Sequence, residues 1–147
     1  LLKIRYLLKR QQDFAVETTL ATRTLLKTVK MAQDAGYTVT LLYFWLNSPE
    51  LAVERVRARV EAGGHDIPEE TIRRRYQVGI DYFFHYYAPV CERWILADNS
   101  QIPFRVIAQG LVTSVVKPVI LMGSAVTSVL ILLEEPRFTT FSLIPNS

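Results

Sequence analysis

Six arginines lie between Glu54 and Tyr76, in two clusters: Arg55, Arg57 and Arg59, then Arg73, Arg74 and Arg75. Arginine suits the gripping of phosphate, because its planar fork donates paired hydrogen bonds and keeps its charge at any working pH. Between the clusters stands Gly63-Gly64-His65-Asp66-Ile67-Pro68. Two glycines supply the left-handed backbone that ends a helix. Pro68 suits the start of the next helix, and Glu69 and Glu70 suit its positive end. The stretch therefore predicts helix, turn, helix, with guanidinium groups on both arms. Such a hairpin could close over a phosphate-bearing ligand. The same residues also read as a solvated charged face, since Glu54, Glu61, Asp66, Glu69 and Glu70 are interleaved with the arginines. Residue types alone leave both readings open.

The elements that must carry these arginines follow from pattern. Ser48 is a helix cap with Pro49 in the first turn, and Val53, Val56 and Val60 form a buried stripe that leaves Arg55 and Arg59 together on another face. After Pro68, an apolar stripe of Ile72, Tyr76, Ile80, Phe83 and Tyr87 runs to Pro89 and reads as core packing. His85, set among those aromatics, is expected to be partly buried and hydrogen-bonded.

Upstream, Leu1 to Arg10 has helical spacing, and Asp13 to Glu17 reads as a short buried strand. Arg23 to Asp34 reads as a helix capped by Thr22 and stopped at Gly36. Thr38 to Leu46 is a nearly unbroken apolar run suited to a parallel strand covered on both faces. Downstream, Arg93 to Asp98 is a strand, Asn99-Ser100 a turn, and Phe104 to Ala108 a further strand. This alternation predicts an α/β fold with a mainly parallel sheet and a helical, arginine-bearing lid. Ligands of such sheets sit at the carboxyl ends of strands, here Glu17, Thr18 and Thr19 at one end and Asn47 and Ser48 at another.

Composition narrows the classes. The 147 residues are 50% hydrophobic, enough for one domain with a core. A net charge of +3 is mild and does not by itself argue for nucleic acid. Cys91 stands alone, which excludes an internal disulfide and fits a reducing, cytoplasmic setting; with two histidines, a histidine-rich metal site is excluded as well. The first ten residues are too charged for a signal peptide, and a start at Leu1 reads as a piece of a longer chain. After Gly110 the character changes. Residues 111 to 147 show no polar face and no clear period, and Val119 to Leu133 falls short of the ~20 apolar residues a spanning helix needs. A poorly packed or disordered appendage is expected there, ahead of a membrane segment.

Glu17-Thr18-Thr19-Leu20, the piece from Arg59 to His65 with its double glycine, Arg73-Arg74-Arg75-Tyr76, and Trp94 to Ser100 together resemble the zeta-toxin-like P-loop kinases. The resemblance runs from about Leu1 to about Gly110. It divides the chain into residues 1–109, the later portion of a kinase domain, and residues 110–147, an unassigned apolar tail. It implies ATP-dependent phosphoryl transfer, with Mg2+, to a small hydroxyl-bearing acceptor such as a nucleotide sugar. It also implies a toxin paired with an antitoxin protein. Glu17 and Thr19 match positions on the acceptor side. Arg59 and one of Arg73, Arg74 and Arg75 match arginines that reach the ATP phosphates, with Arg59 and Arg74 taken as the catalytic pair. Fixed arginines suit that reaction, because they stabilise charge gathering on the transferred group without reorganising.

One departure matters. No G-x-x-x-x-G-K-[ST] loop occurs anywhere in the chain, and Gly63-Gly64-His65 is no substitute, since no lysine follows it. The expectation is a kinase portion with lid and acceptor wall, inactive as it stands for want of a phosphate cradle, with no metal ligands of its own. A non-enzymatic module that binds nucleic acid or another polyanion through the arginine hairpin is the alternative reading, and membrane association is disfavoured.

Overall fold

The computed structural model describes residues 2–111 and 126–134. Helix α1 (Leu2–Lys9) leads into strand β1 (Phe14–Thr18), helix α2 (Leu26–Asp34) and strand β2 (Thr38–Trp45). Helices α3 (Pro49–Glu61) and α4 (Glu69–Tyr82) form the expected hairpin. A π-helical turn over Phe83–Tyr87 extends α4, and strands β3 (Arg93–Asp98), β4 (Arg105–Leu111) and β5 (Val126–Glu134) complete the described elements.

Local signals placed most of these as read. Ser48 accepts the Leu51 N–H at 3.1 Å and caps α3. β2 is the run of β-branched and aromatic residues, and its Val39, Leu41 and Tyr43 are fully buried. β1 differs from its reading, because Ala15 and Glu17 are exposed while Phe14, Val16 and Thr18 are half-buried. α2 starts at Leu26, beyond the expected Thr22 cap, and no side chain caps it. The Thr22 carbonyl instead accepts the Tyr87 hydroxyl at 2.6 Å, a long-range contact that holds the preceding residues as a loop.

The sheet has the order β1-β5-β2-β3-β4 and is mixed, not mainly parallel. β2 and β3 pair in parallel, whereas β1–β5, β2–β5 and β3–β4 are antiparallel. The reasons are local. The link from β3 to β4 is too short for the crossover that a parallel pair needs. β5 comes from the apolar tail and runs between β1 and β2. Over Val126–Glu134 the expectation of an appendage therefore fails, since an apolar run without period suits a strand with neighbours on both sides. The rest of the tail, and most of the Val119–Leu133 run, lies outside the described residues. No helix among those residues is long and apolar enough to cross a membrane.

β1 and β2 each run antiparallel to β5, so they share one direction. Val129 pairs with both Thr18 and Tyr43, and Tyr43 pairs with Leu96. The carboxyl ends of β1, β2 and β3 thus lie along one edge of the sheet, with Glu17 to Thr19, Trp45 to Ser48 and Asp98 to Ser100 in a row.

The main core gathers Leu8, Leu20, Val29, Val39, Leu41, Tyr43, Phe83 and Tyr87 around the sheet. A second, smaller core of Leu46, Ala52, Val53, Val56, Ile72 and Tyr76 belongs to the hairpin. Ile80 packs against both. The apolar stripe read for α4 is therefore core, as expected. His85 is a correction: its side chain is exposed, and Nδ1 lies 2.9 Å from the Asp81 carboxylate one helical turn back.

Candidate active site

The hairpin stands against the carboxyl ends of the strands through two contacts. From α3, Arg55 donates to the carbonyl of Asn99, just beyond β3, at 2.5 Å. That loop is itself fixed, since Asn99 N–H bonds the Trp45 carbonyl at 2.7 Å and the Ser100 hydroxyl accepts from Asn47 N–H at 2.8 Å. Burial would raise the pKa of Asp98, but hydrogen bonds from the Ser100 hydroxyl and N–H, with the charge of Arg105, outweigh burial and keep it ionised to lower pH than usual. From α4, Gly79 lies against the loop after β1. A Cβ there would sit 3.0 Å from the Tyr43 hydroxyl and 3.2 Å from the Thr19 carbonyl, so the missing side chain is what lets α4 approach.

The arginines divide by what holds them. Arg55 serves the β3 loop. Arg73 bridges the two arms, reaching Glu50 of α3 at 2.7 Å and Glu69 at 2.9 Å. Arg57 joins the same group through Glu69 at 2.9 Å. The hydrogen bonds from Arg73, ahead of its charge, hold the Glu50 and Glu69 carboxyls below the usual carboxylate range. Among the described residues, no hydrogen bond or ion pair engages the guanidinium groups of Arg59, Arg74 or Arg75.

Arg59 is held by its stem. The helix ends over Gly63, whose φ is +91°, and the Gly64 N–H returns to the Arg59 carbonyl at 2.9 Å. A Cβ on Gly64 would lie 2.8 Å from Arg59 Cγ and 2.9 Å from the Arg59 carbonyl oxygen. The double glycine is therefore a steric requirement: one residue makes the turn, and the other leaves room for the arginine stem.

On α4, Ile72, Tyr76 and Gly79 are buried and define the inner face. Successive residues turn by ~100°, which puts Arg74 opposite that face and Arg73 and Arg75 on its two flanks. The burial agrees, with Arg74 exposed and Arg73 and Arg75 half-buried. Arg73 flanks the side toward α3. Arg75 shares its flank with Gly79, which abuts the Thr19 carbonyl.

Glu17 is exposed at the end of β1, and Thr19 is half-buried beyond it. The loop that carries them is tightly fixed. Thr18 Oγ1 accepts the Leu20 N–H at 3.1 Å, and Leu20 is buried with φ of +56°. A bulky residue rarely adopts that left-handed backbone, and such outliers cluster at functional sites. Nothing in the residue types announced this feature. Cys91 plays no nucleophilic part: burial, and then the Glu92 charge, push its thiol up to about 12. Among the described residues no group of acidic, histidine or cysteine side chains could hold a metal ion.

An α/β domain with an arginine-bearing helical hairpin against aligned strand ends is the class that fold and site define. The chain belongs to the zeta toxin family, whose model matches residues 3–82, more than half of its length. It is also similar to an uncharacterized protein of Haemophilus influenzae, 34% identical over 71 residues, which cover 48% of this chain and 51% of that relative. The chain thus spans about half the length of the curated relative it matches. No solved structure matches it.

Proposed function

We propose that these residues form the lid and acceptor wall of an ATP-dependent kinase that phosphorylates a small hydroxyl-bearing acceptor, of which a nucleotide sugar is the leading candidate. The observation that carries this reading is the division of the arginines. Arg55, Arg57 and Arg73 are engaged in building the hairpin and its seat, while Arg59, Arg74 and Arg75 have no hydrogen-bond or ion-pair partner among the described residues. Arginines kept free of carboxylates suit phosphate, whose oxygens accept their paired N–H donors. Arg75 takes the role given to Arg74 by sequence, because Arg74 is on the outer face of α4. Glu17 and Thr19 form the acceptor side.

ATP fits the guanidinium groups of Arg59 and Arg75. When bound, it supplies the transferred phosphoryl and its own anchoring point for Mg2+, which is usually held by phosphate oxygens and one or two carboxylates. This chain's part is positioning and charge stabilisation: in this reading Arg59 and Arg75 take the phosphates, Glu17 takes the acceptor hydroxyl's proton, and Thr19 orients the acceptor. The missing G-x-x-x-x-G-K-[ST] loop means that the 147 residues alone have no appreciable turnover. An antitoxin partner belongs to the same proposal.

The experiment joins a phosphate-loop strand ahead of Leu1 and follows phosphate transfer from ATP to UDP-N-acetylglucosamine. Glu17→Gln should lower turnover by about two orders of magnitude, on the scale of general-base catalysis. Thr19→Ala should chiefly raise the KM for the acceptor. Unchanged kinetics in both variants would remove these residues from the acceptor side.

A further inference from the structure

A second arginine position, away from the hairpin clusters, is held by aromatic side chains. Arg23 lies in the loop between β1 and α2, and its side chain is exposed. Its guanidinium carbon sits 3.9 Å from the centroid of the Tyr86 ring and 5.3 Å from that of Tyr82. It also donates to the Tyr86 hydroxyl. The two rings brace each other, edge to face, with centroids 5.1 Å apart and planes at 80°.

This arrangement depends on the π-helical turn. An α-helix would set Tyr86 one regular turn beyond Tyr82, whereas the wider turn over Phe83–Tyr87 re-aims the side chains, and such insertions are frequent at functional sites. Tyr87 fastens the loop from the other side through the Thr22 carbonyl. The backbone around Arg23 is thus fixed at Leu20, by the left-handed turn, and at Thr22, by the tyrosine. Among the described residues no carboxylate lies within ion-pair reach of Arg23. A guanidinium held against two rings keeps available the donors it does not spend on the Tyr86 hydroxyl, and part of its ordering cost is already met.

The position fits the acceptor side. Gly79, Tyr82 and Tyr86 follow Arg75 along one flank of α4 and its extension, and Gly79 abuts Thr19. We propose that Arg23, clamped by Tyr82 and Tyr86, recognises an oxyanion on the acceptor, a phosphate or a carboxylate, and so sets which acceptors the site takes. The assignment to the acceptor rests on the kinase reading above; the oxyanion site itself does not.

The test is an equilibrium titration of the 147-residue chain, without ATP, followed through the Arg23 Nε–H resonance. Inorganic phosphate, acetate and chloride are the probes, at constant ionic strength. Phosphate or acetate should shift the Arg23 signal saturably, and chloride should not. Whichever of the two binds more tightly names the acidic group. Arg23→Ala should weaken that binding about tenfold or more, the scale of a charge-assisted contact. Tyr86→Phe keeps the ring and loses the hydroxyl, so it should weaken binding by a smaller factor, and Arg23→Lys should rescue only part of the loss. Arg59→Ala should leave it unchanged. The proposal fails if chloride shifts the signal as phosphate does, if neither oxyanion saturates it, or if Arg23→Ala binds as well as the native chain. Loss of turnover in Arg59 or Arg75 variants is a separate readout, so failure of the kinase reading and failure of this site remain distinguishable.

Discussion

At the scale of single residues, the sequence shows which side chains could grip phosphate but not which are free to do so. The three consecutive arginines differ only in direction and neighbours. Arg73 meets Glu50, 23 positions earlier in the chain, and that pairing exists only once α3 and α4 are folded together. Tyr43 offers a sharper residue-scale test. Its hydroxyl is buried beneath Thr19 and Gly79 without a hydrogen-bond partner among the described residues. Burial, and then the neighbouring Tyr76, push its pKa well above that of a free phenol, so it stays protonated. An unpaired buried hydroxyl costs about 1–3 kcal/mol, so Tyr43→Phe should leave stability unchanged or raise it by about 1 kcal/mol in denaturant titration. A loss larger than that would mean the hydroxyl holds the Thr19 loop in place.

At the scale of elements, the hairpin is a unit with its own core, joined to the main core at Ile80 and tied by ion pairs between its arms. Glu50 and Glu69 titrate below the ordinary carboxylate range because Arg73 hydrogen-bonds them. With folded-state values depressed, their contribution is present above the unfolded carboxylate pKa of about 4.3 and is lost as pH falls through the lower folded values. The hairpin should therefore loosen in acid before the sheet does. Amide protection factors in α3 and α4 should fall below about pH 4 while those of β2 and β3 hold, and Arg73→Ala should produce the same loosening at neutral pH. An equal fall in all four elements would contradict this. The hairpin's existence was legible because Ser48, Pro49, the double glycine and Pro68 are local signals that need no partner. The start of α2 was not, because a distant tyrosine claims the Thr22 carbonyl. Nor was the π-helical turn, whose Phe83 to Tyr87 residues would fit an α-helix equally well.

At the scale of the molecule, β5 decides the sheet. It occupies the place between β1 and β2, two strands that run in one direction. β2 was legible as an apolar run rich in β-branched and aromatic residues and β3 as a short strand, whereas β5 was not, because its pairing lies at a great distance along the chain and its residues carry no period. A chain ending at Leu111 should lose this strand and leave two open edges at the centre of the sheet. It should show no cooperative thermal transition and should aggregate, and a sharp melting curve for it would show that β5 is dispensable. The central claim concerns the hairpin acting on a nucleotide, and its most direct measurement is turnover of the chain extended by a phosphate-loop strand, with alanine placed singly at Arg59, Arg73, Arg74 and Arg75. Arg59→Ala and Arg75→Ala should each lower turnover by about two to three orders of magnitude, the scale of one preorganised donor. Arg74→Ala should stay near the native rate, and Arg73→Ala should loosen the hairpin as described above. Native rates in both the Arg59 and the Arg75 variants would contradict the account and reduce the hairpin to a solvated surface.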